Sequence, residues 1–191
     1  MQSMRTVWAI VIIVVQGCCV VFCSESDHDY NKVLRLSLLF YEAQRSGKLP
    51  PDNRIPWRAD SAVEDEGLNG EDLTGGYYDA GDSVKFGFTM ASATTLLAWG
   101  CITYKDAYIS AGEWEHALEA LRWAGDYFVK CHVSRNELYG QVGEFSTEHK
   151  YWGRPEDLNI SRPAYKITTI KPGSDLAGET AASLAAMSIV F

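Results

Sequence analysis

The chain has 191 residues, enough for one sizeable core, and its 47% hydrophobic and 12% aromatic content excludes a disordered chain. It carries 17 basic against 25 acidic residues, a formal net charge of −8. Without a basic cluster it is not expected to bind nucleic acid, whereas an acidic surface is compatible with a neutral polymer as substrate.

In chain order, residues 1–23 read as a secretory signal peptide. Arg5 supplies the positive start, Val7 to Val15 is apolar, and a cleavage site falls near Cys23 and Ser24. Gln16 and Gly17 interrupt the run before the roughly 20 apolar residues a membrane span needs. The mature segment, residues 24–191, is therefore expected to be extracellular, with no membrane partner after cleavage. Cys18, Cys19 and Cys23 leave with the signal. Cys101 and Cys131 remain, either as one disulfide or as two buried small hydrophobes. Residues 27–31 imitate the start of a calcium-binding loop, but Lys32 and Leu38 stand at the positions that need Gly and Glu. No zinc spacing is present, and no metal or cofactor is expected.

The first helix is expected over Asp29 to Ser46, apolar nearly all round and so buried among other helices, with Gly47 as its stop. A long irregular stretch, Lys48 to Gly76, carries three prolines and Trp57. Beside Arg58 and Asp60, that indole suits either a sugar-facing surface or a cap on the core. Next comes Tyr77-Tyr78-Asp79-Ala80-Gly81-Asp82. Two carboxylates three residues apart, before a helix, suit activation of a water; the same spelling also suits a plain turn. Helices are expected over Thr89 to Tyr104 and over Gly112 to Val129, the latter with Trp114, Ala117, Leu121, Ala124 and Phe128 on one stripe. A second long loop, Cys131 to Gly173, holds Glu144, Glu148, His149, Trp152 and Glu156. A last helix opens at Ser174 or Asp175 as N-cap and stops mid-pattern on Ile189, Val190 and Phe191, which suggests a truncated domain. No strand is expected, so the fold class is all-α.

Phosphate-cradling glycine loops, serine-nucleophile elbows and zinc-protease helices are all absent. What is left is a set of carboxylates interleaved with aromatics, the chemistry of glycoside hydrolysis. Here the sequence resembles glycoside hydrolase family 9, the inverting β-1,4-glucanases. Asp72 to Phe88 matches the family signature. Phe40 to Pro50, His149 to Asp157 and Pro172 to Ala182 agree in order, so the resemblance covers about 29–191.

The resemblance implies an (α/α)6 barrel of which this chain is roughly the first half, and a β-1,4-glucan as the partner, with no partner protein. It implies Asp82 as the general base, Asp79 as the residue that orients the attacking water, and His149 and Trp152 along the sugar-binding cleft. Tyr78 and Trp57 are assigned to the cleft as well. It places the general acid on a glutamate in a C-terminal block absent here, so the chain alone is expected to be inactive; a carbohydrate-binding remnant is the alternative. Thr89 replaces a usual Pro and is expected to serve as a helix cap. Phe145 stands where Gly is common, a strained choice if the backbone has positive φ there. Asn159-Ile160-Ser161 is an N-glycosylation acceptor.

Overall fold

The computed structural model describes residues 28–191, so the expected signal peptide lies outside the described residues. Residues 31–191 form one compact unit. It is mostly helical: α1 (Tyr30–Ala43), α2 (Gly87–Thr103), α3 (Lys105–Ser110), α4 (Trp114–Cys131), the single turn α5 (Phe145–Glu148) and α6 (Ser174–Val190), with a 3-10 turn at Pro155–Asp157. None of the described helices is long and apolar enough to cross a membrane.

The centre is the packing of α2 against α6. The buried positions of α2 are mainly small or β-branched (Ala91, Thr94, Thr95, Ala98), and α6 answers with Thr180, Ser183, Ala186 and Met187. Small side chains let two helix backbones approach closely. The Thr94 and Thr95 hydroxyls donate back to the carbonyls of Met90 and Ala91, so their burial leaves no stranded donor. The stripe expected on α4 is realised: Ala117, Leu121, Ala124 and Phe128 are buried, together with Ala120, Tyr127 and Cys131.

Several expectations need correction. A three-stranded antiparallel sheet, β1 (Lys85–Phe86), β2 (Leu138–Val142) and β3 (Ala164–Ile167) in that order, stands where only loop was expected. Its strands are two to five residues long. Gly140 and a register irregularity between Tyr139 and Gln141 break the alternation that marks a strand. On α1 only Leu38 and Glu42 are buried, while Val33, Leu36 and Phe40 face solvent. The N-cap of α6 is Gly173, not Ser174 or Asp175. Cys101 and Cys131 are free and buried; burial pushes the Cys131 thiol up to about 11. Of the two readings, they behave as small core hydrophobes.

The long loop before the aspartate pair is held by side chains instead of backbone ladders. Arg54 bridges buried Glu42 on α1 to Glu113 at the start of α4, 3.1 Å away. Glu71 accepts from the backbone N–H of Asn69 and from the Tyr139 hydroxyl, which holds its carboxyl at about 2. Partial burial would push the Asp72 carboxyl up. Hydrogen bonds from the Thr74 hydroxyl and N–H and from Lys130 outweigh it and bring that carboxyl to about 2 as well.

Both values lie below those of an unfolded chain, so these carboxylates favour the folded state above the ordinary carboxylate range of about 4. That contribution is lost as pH falls from about 4 towards 2. Urea midpoints should therefore drop across this window, and Asp72→Asn should make the decline shallower. The effect is modest, because the Asp72 side chain is 60% exposed.

Candidate active site

The aspartate pair occupies a tight turn between the long loop and β1. The Asp79 N–H donates to the Val84 carbonyl (2.9 Å), and the Asp82 N–H reaches back to the Asp79 carbonyl (3.4 Å). The residue in the left-handed region is Ala80, with φ +48°, and not Gly81. A left-handed alanine costs about 1–2 kcal/mol and persists only where its surroundings enforce it, a pattern common at functional sites.

Asp82 is nearly enclosed, its side chain 7% exposed. Its Oδ1 accepts from the Val84 N–H (3.0 Å), and its Oδ2 lies 3.0 Å from Nδ1 of His149. A carboxylate oxygen can only accept, so the proton in that contact sits on Nδ1. Asp79 is half-buried, and its Oδ2 accepts from the Thr89 hydroxyl at 3.0 Å. Thr89 is thus not the helix cap. The cap position is Phe86; Thr89 lies in the first turn of α2, where its hydroxyl also contacts the Phe86 carbonyl. Its use is to hold the orientation of Asp79.

The turn rests on a buried ionic group. Lys85, fully buried, places Nζ 2.7 Å from Oδ2 of Asp65 and donates to the carbonyls of Leu73 and Gly75. Asp65 also takes both arms of Arg162, at 2.6 and 3.1 Å. Nη1 of Arg162 reaches both Glu148 oxygens at 2.9 Å and the Ser83 carbonyl at 2.9 Å. Two cations and two anions, alternating, link the long loop, β1, the loop before β3 and α5. Burial pushes the Lys85 ammonium down, with Asp65 opposing, and pushes the Glu148 carboxyl up, with Arg162 opposing. Glu148 immediately precedes His149, so the group fixes the backbone from which the imidazole projects.

Of the carboxylates picked out in the sequence, only Asp79 and Asp82 meet in the turn. Glu144 caps α5 through the Ser146 N–H and accepts the Tyr165 hydroxyl at 2.6 Å, which lowers its pKa. Glu156 is tied to Arg58 at 2.7 Å and to the Ala59 N–H. Trp152 and Trp57 are 95% and 64% exposed, free to present a ring face. Tyr78 is buried, its hydroxyl 2.8 Å from Ser61 Oγ and the guanidinium groups of Arg58 and Arg162 each 5.9 Å from its ring centroid, and it lines a small pocket together with Asp79 and Thr89. Phe145 needs no positive φ, because it begins α5; that backbone role falls to Gly143, with φ +99°. Asn159 is exposed in the loop before β3. Among the described residues no group of three or more His, Cys, Asp or Glu side chains is arranged to hold a metal ion.

The model of glycosyl hydrolase family 9 matches residues 30–191, the whole turn and its supports included. The chain belongs to that family. It is 55% identical over 164 residues to Endoglucanase 1 of Oryza sativa subsp. japonica, covering 86% of this chain and 26% of that protein. The endoglucanase of the termite Nasutitermes takasagoensis superposes with a TM-score of 0.86 at 61% identity, over 87% of this chain and 38% of the termite chain. The cellulase Cel9M of C. cellulolyticum in complex with cellobiose superposes with a TM-score of 0.82 at 37% identity, over 86% of this chain and 38% of that one. The family 9 chain described here thus spans about a quarter to two-fifths of these relatives.

The grouping of Lys85, Asp65, Arg162 and Glu148 is not legible in the sequence, although Glu148 is among the carboxylates singled out there: the four lie in separate segments, and a buried lysine in β1 leaves no local signal. Removing one member of a buried charge group strands another, at a cost of about 3–5 kcal/mol. Lys85→Ala should lower the urea-derived stability by about that amount. Gly143→Ala should also destabilise, by at least ~1–2 kcal/mol from its φ alone. Its added Cβ would lie 2.0 Å from Oε1 of Glu148, so the same variant should loosen α5 in hydrogen exchange.

Proposed function

We propose that this chain carries the water-activating half of a secreted, inverting endo-β-1,4-glucanase, built as the first part of an (α/α)6 barrel. The observation that carries the proposal is the turn itself. Asp82 is held rigidly by Val84 and His149, and Asp79 stands three residues away with its carboxylate oriented by Thr89.

In this reading Asp82 is the general base. A water lying against Asp79 transfers a proton to the Asp82 carboxylate as its oxygen attacks the anomeric carbon, and the configuration inverts. His149 donates to Asp82 through Nδ1 and keeps the acceptor oxygen fixed. Trp152 and Trp57 offer ring faces on which pyranose rings stack, in keeping with a β-glucan as substrate. The endoglucanase names of the relatives and the cellobiose complex of Cel9M support the substrate class.

Inversion needs an opposing acid roughly 6.5–9.5 Å from the base, with room for the water between them. We assign that acid to the part of the relatives' length that these 191 residues do not span. The chain alone is therefore expected not to hydrolyse cellulose, and Asn159 is proposed to carry an N-glycan once the chain is secreted.

In a full-length enzyme containing this segment, Asp82→Asn should reduce turnover of soluble carboxymethyl cellulose by about three orders of magnitude or more, within the range a positioned general base supplies. Cello-oligosaccharide affinity should stay within about twofold. Near-normal turnover of the variant would remove Asp82 from the role of base. Hydrolysis of the same substrate by the purified chain alone would show that the acid lies within it.

A further inference from the structure

Phe145 is a large apolar side chain, half exposed, at the start of a one-turn helix that does not need it for anchorage. Glu144 ties that turn to Tyr165, and Glu148 ties it to Arg162. The Phe145 ring lies instead on the imidazole of His149, with centroids 4.4 Å apart and planes inclined by 34°. The two residues are i and i+4, the spacing that brings side chains together along one helix face.

His149 is otherwise poorly restrained. Its side chain is 59% exposed, and its polar contact is the Nδ1 bond to Asp82. A single hydrogen bond from a side chain so exposed hardly outweighs the rotamer freedom it removes. A ring contact against one face adds a bias of about two- to twelvefold between orientations, enough to make one rotamer dominant.

We propose that Phe145 is a positioning residue, clamping the His149 imidazole so that Nδ1 stays on Asp82. Through that clamp it sets where the Asp82 oxygen points, and its relevance to turnover rests on the reading of Asp82 as the base. It also explains an apolar ring left in solvent beside the aspartate turn.

The test is imidazole nitrogen NMR on the full chain in mildly alkaline buffer, with the His149 signals assigned through His149→Gln. In the native chain His149 should show its proton on Nδ1. Phe145→Ala should move both nitrogens toward tautomer-averaged shifts, a two- to twelvefold loss of the Nδ1–H form, and Phe145→Tyr should restore the native pattern. Far-UV circular dichroism and the urea midpoint report whether each variant is folded. Should the alanine variant fail to fold, Phe145→Leu keeps the apolar bulk without the ring face and should show the same averaging. Superimposable His149 shifts in native and folded Phe145→Ala or Phe145→Leu chains would overturn the clamp, as would a tyrosine variant that behaves like alanine. This readout is independent of turnover. A clamp that holds while Asp82→Asn keeps its activity would count against the base assignment and leave the positioning role standing.

Discussion

Lys85, Asp65, Arg162 and Glu148 form the arrangement on which the rest of this molecule depends. Taking four charges out of water is expensive, and the geometry offsets that cost only because each charge touches its opposite and the spare donors find backbone carbonyls. The consequence is specificity of placement. Asp65 belongs to a long irregular loop, Lys85 to a two-residue strand, Arg162 to the approach to β3 and Glu148 to a single helical turn. None of these segments has enough regular hydrogen bonding to fix itself. Joined through the buried charges, they become one body, and the Asp79–Asp82 turn sits on top of it.

That support explains how a strained turn survives. Ala80 holds a left-handed backbone, and Asp82 is enclosed by the Val84 N–H and by His149. Tyr78, next to Asp79 in the chain, is anchored by its hydroxyl on Ser61 and by two guanidinium groups near its ring. Preorganisation of this kind is what the proposed role of Asp82 requires, because a base already held in place need not reorganise its surroundings. The helices contribute at one remove: α2 and α6, packed through small residues, make a rigid floor, and Thr89 in the first turn of α2 reaches Asp79.

The loops and the turn between them hold the candidate site residues while the helices carry the packing, a division common where a rigid scaffold presents a site. The exposure of Trp57 and Trp152 belongs to this division. Aromatic rings used to fill a core are buried, as Tyr77 and Tyr139 are; these two indoles stand out in solvent. Phe145 joins them as an exposed ring, but one committed to a neighbour within the chain.

Much of this was legible in the sequence. Helical periodicity located the four long helices to within a few residues, because a stripe of apolar side chains repeats on the scale of a helix turn. The spelling around Asp79 and Asp82, with three further ordered blocks, pointed to the family. Tertiary structure decided what local pattern cannot encode. It made a sheet from strands too short to alternate, and it buried Tyr78 against Ser61 and two guanidinium groups. It also set Thr89 on Asp79 instead of on the helix end, and paired charges as far apart in the chain as Asp65 and Arg162. Periodicity reports which face of an element avoids water, an effect summed along contiguous residues. A buried ion pair or a ring contact depends on where two distant segments meet, and only the folded chain specifies that distance.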